Sequence, residues 1–144
     1  MYKFITMILA LALACLSAHG EPNRYEDLLQ KCSEWQSDWI MALADSLYLK
    51  GNGSEDEALV LYMLYAQRKT EDASADEISN HVRAHMRAGN IHYGKGNYSN
   101  ALKYYVAGMK FSESAPHRPY IAELYKNIGN IYNMFQDYEK GKSM

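Results

Sequence analysis

The chain has 144 residues, 48% hydrophobic and 22% charged, which is enough for one domain and too apolar for a disordered protein. Three prolines and nine glycines exclude a collagen-like or linker-dominated sequence, and 15 basic against 17 acidic residues provide no basic excess for nucleic acid. Eight methionines and frequent alanines, with few runs of Val, Ile or Thr, favour helices because unbranched side chains lose less rotamer freedom there. We expect an all-α protein.

Residues 1–20 have the features of a secretory signal peptide. Lys3 provides a positive start, the mainly apolar run 4–14 follows, and small residues precede a cleavage point before Glu21. The run is shorter than the roughly 20 residues that a membrane-spanning helix needs. The sequence therefore predicts export, with an uncleaved anchor and lipid attachment to Cys15 as the alternatives.

Two helices are predicted in the next part of the chain. Apolar and aromatic residues at three- to four-residue spacing predict a helix from about Arg24 to the turn at 51–53. Ser54 and Glu57 have the spacing of a capping box and open a second helix, which fades at Lys69.

A third and a fourth helix follow a polar connector. Ser74 and Glu77 repeat the capping pattern, and this third helix ends at Gly94-Lys95-Gly96. Asn97 caps a fourth helix that runs to about Ser112.

The last two predicted helices begin at a proline and at an acidic cap. Pro119 suits the first position of the fifth helix, where a missing N–H has no partner to lose. Asp137 caps a sixth helix, 138–144, which is too short to be stable alone.

A shift of forty residues superimposes 89–101 on 129–141. Gly89-Asn90-Ile91 then falls on Gly129-Asn130-Ile131, Tyr98 on Tyr138, and Asn97 on Asp137. A fixed period with matched turns predicts stacked helical hairpins, each of which needs a neighbour to bury its apolar face.

These residues resemble the tetratricopeptide repeat (TPR) family. The resemblance rests on small residues in the first helix of a hairpin, a tyrosine opening the second helix, and an alanine and a tyrosine further along it: Gly89, Gly129, Tyr98, Tyr138, Ala101 and Tyr105. The period of forty exceeds the family's usual period of about 34. The resemblance implies a right-handed α-solenoid of about three hairpins, approximately at 39–69, 82–112 and 120–144, the last incomplete.

The first of these hairpins matches the pattern less closely. Ala58 and Tyr62 imitate Ala101 and Tyr105, whereas Asp45 or Ser46 stands where the family has glycine.

No residues form a candidate catalytic trio, so we expect a non-enzymatic protein without cofactor or metal. His81, His85 and His92 share one helix face, and two histidines one turn apart can bind zinc. The forty-residue register, however, places His85 on Tyr125 and His92 on Tyr132, which favours packing.

The family resemblance implies a peptide-binding groove on the concave face of the repeats. Helical spacing assigns to it, from two hairpins, Arg83, Met86, Asn90, Tyr93, Lys126, Asn130 and Asn133. Asparagine amides can bond an extended peptide backbone, and Arg or Lys can bind a carboxylate. We therefore predict a scaffold that binds a protein or peptide segment.

Two further expectations concern partners. Exported bacterial proteins of this kind often place repeats before a membrane segment, so the alternative function is a periplasmic sensor or input domain of a larger membrane-bound signalling or transcriptional regulator. The short sixth helix leaves the last hairpin uncovered, which predicts either more chain, with a membrane tether, or a homo-oligomer.

Overall fold

The computed structural model describes residues 37–143. In this range all regular secondary structure is helical, as the composition predicted. The helices are α1 (Ser37–Lys50), α2 (Glu55–Ala66), α3 (Ala75–Gly94), α4 (Tyr98–Ser114) and α5 (Ile121–Lys142). The predicted signal peptide, Cys15 and the start of the first predicted helix lie outside the described residues. None of the helices in 37–143 combines the length and apolar character needed to cross a bilayer.

The helices belong to two compact units that divide between Arg68 and Lys69. In the first unit α1 packs against α2, and in the second α4 packs against both α3 and α5.

The first unit is a helical hairpin closed by a tight turn. Gly51, Asn52 and Gly53 all have positive φ (61°, 54° and 89°), which reverses the chain between α1 and α2. Glycine supplies such angles without steric cost, and asparagine tolerates them better than most residues. The buried apolar residues of this hairpin are Ile40, Met41, Ala44, Leu47, Ala58, Leu61, Tyr62 and Tyr65.

The two predicted capping boxes have different outcomes. At the start of α3, Ser74 Oγ accepts a hydrogen bond from the Glu77 N–H (3.2 Å), and the Ser74 N–H donates to Glu77 Oε2 (2.7 Å). This box is confirmed. At the start of α2 the Ser54 side chain caps nothing. The Ser54 N–H donates to the Gly51 carbonyl oxygen at 3.1 Å, and Ser54 has ψ 0° where Ser74 has the extended value of 164°.

The second unit has one apolar core shared by its three helices. Its buried members are Val82, Met86, Ala101, Tyr105, Leu124 and Ile131, with Tyr93, Tyr98, Leu102, Met109, Phe111 and Ile128 packed around them. The α3–α4 turn depends on Gly96 at φ 77°, the left-handed region that glycine adopts freely.

The predicted break at Asp137 is wrong, because α5 continues without interruption to Lys142. At the matching point of the repeat, Gly96 takes the positive φ that ends a helix, whereas Gln136 stands in its place in α5. The region 120–144 therefore contains one long helix within its described residues, and no sixth helix. Pro119 also precedes the helix instead of opening it, since Tyr120 (φ 58°) is the N-cap.

Candidate functional site

The two hairpins share one side-chain arrangement between their helices. In the second unit the Tyr105 hydroxyl donates to Asn90 Oδ1 at 2.7 Å, and in the first the Tyr62 hydroxyl donates to Asp45 Oδ1 at 2.7 Å. The small residue that precedes the acceptor is Gly89 in α3 and Ala44 in α1. In the first hairpin, therefore, Asp45 corresponds to the asparagine of the pattern, and Ala44 occupies the glycine position.

Gly89 lets the Tyr105 ring lie directly against the α3 backbone. A Cβ added to Gly89 would lie 2.5 Å from Tyr105 Cε1 and 2.6 Å from Cδ1, far inside van der Waals contact. Tyr105 is only 2% exposed, and its hydroxyl is held by Asn90. The ring has little freedom to move away.

Asn90 also connects α3 with α5. Its Oδ1 accepts a second hydrogen bond from Asn127 Nδ2 at 3.3 Å, and the Tyr93 hydroxyl contacts Met134 Sδ at 3.3 Å. Asn127, three residues before the repeat equivalent Asn130, is thus an α5 partner of Asn90.

The predicted groove residues lie in three different environments. Met86 is 1% exposed in the core, a correction to the predicted groove because it presents no surface to a ligand. Arg83, Asn90 and Tyr93 are half-buried, and Arg83 Nη2 donates to Asn80 Oδ1 at 3.0 Å. Exposed side chains remain at Lys126, Asn130 and Asn133.

A polar strip extends over α3 and α5 where Asn90 meets Asn127. Spacings of four and three residues place Arg83, Arg87 and Asn90 on one stripe of α3, and Glu123, Asn127 and Asn130 on the matching stripe of α5. We call these six residues the polar strip. Arg87 and Asn127 were missed by the sequence reasoning, although the forty-residue register relates them to each other.

The polar strip contains guanidinium, amide and carboxylate groups. Guanidinium groups match a carboxylate in planar, bidentate geometry, and amides can bond the peptide backbone. Arg83 and Arg87 are half-buried, which strengthens their electrostatic interactions relative to fully solvated charges.

The repeat-packing residues of the sequence analysis divide into buried or half-buried positions and exposed ones. Six have packing roles in the structure: Ala58, Tyr62, Gly89, Ala101 and Tyr105 are buried, and the half-buried Tyr98 packs edge-on against Tyr93 at 5.3 Å. Gly129 and Tyr138 are exposed. Lys142 Nζ lies over the Tyr138 ring, 4.8 Å from the ring centre.

The three α3 histidines pack against aromatic rings of α4. His81 and His85 lie against Phe111 at 5.3 and 5.1 Å, and His92 stacks on Tyr104 at 5.3 Å. His85 Nδ1 is 2.7 Å from the His81 carbonyl oxygen.

Burial shifts the pKa values of two of these histidines and of Tyr104. It lowers the pKa of His85, against a smaller opposing effect of the His81 carbonyl, and it also lowers the pKa of His92. Burial raises the pKa of Tyr104. Across 37–143, no three His, Cys, Asp or Glu residues are grouped so that they could hold a metal ion.

Comparison with known proteins identifies no relative. The chain matches no protein-family model, no curated protein and no solved structure.

Proposed function

We propose that this protein is a non-enzymatic, TPR-like helical scaffold that binds an extended peptide or protein segment through the polar strip on α3 and α5. The observation that carries the proposal is the Asn90–Asn127 hydrogen bond, which joins two stripes that are forty residues apart in sequence.

The repeated hairpin arrangement supports the scaffold part of the proposal. Tyr62 with Asp45 and Tyr105 with Asn90 are two occurrences of one packing solution. Such recurrence is typical of helical repeat proteins, which display successive first helices side by side as a binding surface.

The chemistry of the strip supports the ligand class. An extended peptide presents carbonyl oxygens at regular intervals and one carboxylate at its end. The α3 side of the strip offers guanidinium groups at Arg83 and Arg87, which favour such acceptors. The α5 side adds Glu123, which disfavours a strongly acidic segment near it and favours one with mixed charge.

The test is a binding measurement with fluorescently labelled short peptides of mixed sequence, one set with a free C-terminal carboxylate and one amidated. The double variant Arg83→Gln/Arg87→Gln should weaken binding of the free-carboxylate set at least about tenfold, since hydrogen bonds to charged groups contribute about 1.5–3 kcal/mol each. The matched control is Lys103→Gln/Lys110→Gln, which removes the same charge from exposed positions of α4.

Two outcomes would contradict the proposal. One is absence of peptide binding by the native chain at about millimolar concentration, the limit of useful affinity. The other is equal weakening by the arginine and lysine variants, which would mean non-specific charge attraction. Should the arginine variant lose its helical circular dichroism, Asn130→Ala, at an exposed position, provides the same comparison.

A further inference from the structure

The stripe of α3 that receives α4 is repeated on α5. On α3 the stripe consists of His85, Gly89 and His92, which α4 covers with Phe111, Tyr105 and Tyr104. Forty residues later the same positions are Tyr125, Gly129 and Tyr132. Their spacings of four and three residues place them on one side of α5, which we call the α5 stripe.

The α5 stripe is uncovered within the described chain. Tyr125 is 56% exposed and Tyr132 58%, and no described heavy atom lies within 4 Å of a Cβ added to Gly129. We call the gap that a glycine leaves on the helix surface a notch. The Tyr105 ring fills the notch at Gly89, whereas no described side chain fills the one at Gly129.

The stripe also contains the group that would fill such a notch. Gly89 receives a tyrosine ring, and the next residue, Asn90, accepts its hydroxyl. Gly129 is likewise followed by an asparagine, Asn130, and tyrosine is available three residues away at Tyr132. One helix therefore carries both halves of the α3–α4 contact.

We propose that the α5 stripe is a homodimer interface in which α5 helices of two copies pack antiparallel. With the two-fold axis between residues 130 and 131, Tyr132 of each copy faces Gly129 of the other, and Tyr132 hydroxyl groups lie on the side of the partner's Asn130. Because the two copies are related by a two-fold axis, one Tyr132–Gly129 contact implies the second, and a single helix sequence can form both.

The antiparallel orientation also opposes the two helix dipoles, which attract each other in this arrangement. Glu123, in the first turn of α5, lies on the polar strip and takes no part in the contact.

The exposed aromatic area sets the expected strength of the dimer. Tyr125 and Tyr132, at 56% and 58% exposure, present roughly 230 Å² of ring surface, if a full aromatic side chain offers about 200 Å². A stable interface buries about 800 Å² on each partner. We therefore expect a weak dimer, with a dissociation constant of about 1–100 µM.

This proposal does not depend on the peptide-binding function. Asn127 of the polar strip and Gly129 of the α5 stripe are two residues apart, which places their side chains about 200° apart around the helix. Asn130 borders both surfaces, but the deciding variants change different residues, Arg83 and Arg87 in one test and Tyr132 in the other, so one surface can fail its test while the other passes.

The test is sedimentation equilibrium of the chain over about 1–500 µM, a range that brackets the expected dissociation constant. Tyr132→Ser should raise the dissociation constant at least tenfold. The matched control is Tyr138→Ser, the same change on the same helix at a residue that is 62% exposed and lies off the stripe. It should leave the dissociation constant unchanged.

A monomer at all concentrations would overturn the proposal, as would equal effects of Tyr132→Ser and Tyr138→Ser or an assembly that grows beyond two copies. Circular dichroism of each variant checks that the helices remain folded.

Discussion

Alanine at Gly89 and at Gly129 should have opposite effects on stability, although the two glycines occupy the same repeat position. At Gly89 the added methyl group would meet the Tyr105 ring at 2.5 Å, about 1 Å closer than van der Waals contact permits. At Gly129 no described atom lies within 4 Å of the new methyl.

The magnitudes follow from two competing effects. Replacing glycine by alanine within a helix stabilises by about 0.5–1 kcal/mol, because glycine loses more backbone entropy on folding. Overpacking a filled core costs about 1–3 kcal/mol, and Tyr105 is held by its hydrogen bond to Asn90 and by complete burial. Gly89→Ala should therefore lower the free energy of unfolding by about 1–2 kcal/mol, and Gly129→Ala should raise it by about 0.5–1 kcal/mol.

The assay is urea denaturation followed by circular dichroism at the helix band. It is performed at about 0.2 µM protein, below the expected dissociation constant of the dimer, so that any effect of Gly129 on self-association is small. The refuting result is a shift of both midpoints in the same direction, which would mean that helix propensity alone governs the two positions. A neutral Gly89→Ala would show that the Tyr105 ring can move after all.

Two further predictions concern local features of the second and first units. Ser74→Ala should destabilise the protein by about 1 kcal/mol because a formed capping box is lost, whereas Ser54→Ala should change the free energy of unfolding by only a few tenths, and equal losses in urea denaturation would contradict this. Stability should also fall with acidification. Burial lowers the pKa of His85 below its ordinary 6.5, so the unfolded chain takes up a proton that the folded chain resists, and the melting temperature should hold above pH 6.5 and decrease as the pH falls towards the lowered value. Much of that pH dependence should disappear in His85→Gln, and a melting temperature that is the same at pH 7.5 and 5.5 would refute the reasoning.

The elements of the fold that depend on local chemistry were accessible from the sequence. The glycine-containing turns at 51–53 and 94–96 separate the helices where the sequence predicted, since Gly51, Gly53 and Gly96 adopt positive φ without steric cost. The capping boxes were not equally predictable. Ser54 and Ser74 have the same sequence pattern, but the Ser54 N–H is bound by the Gly51 carbonyl oxygen of the preceding turn.

Features that depend on packing were harder to predict. The continuity of α5 past Asp137 follows from the absence of a glycine at 134–136, which the forty-residue echo of Asn97 obscured. Met86 was assigned to the groove because helical spacing defines stripes without saying which stripe the next helix covers. Only the position of α4 shows that Met86 lies inward.

The two hydrogen bonds on the Asn90 oxygen determine how that side chain can contribute to recognition. Because its Oδ1 is committed to Tyr105 and Asn127, the amide is oriented with its oxygen inward, and any group it presents to a ligand is an N–H donor. Arginine side chains also lack acceptors, so the α3 side of the polar strip consists of donors, whereas Glu123 and the amide oxygens on the α5 side are acceptors. In the proposed function, the α3 side would therefore bind carbonyl and carboxylate oxygens of the ligand, and the α5 side would bind its N–H groups.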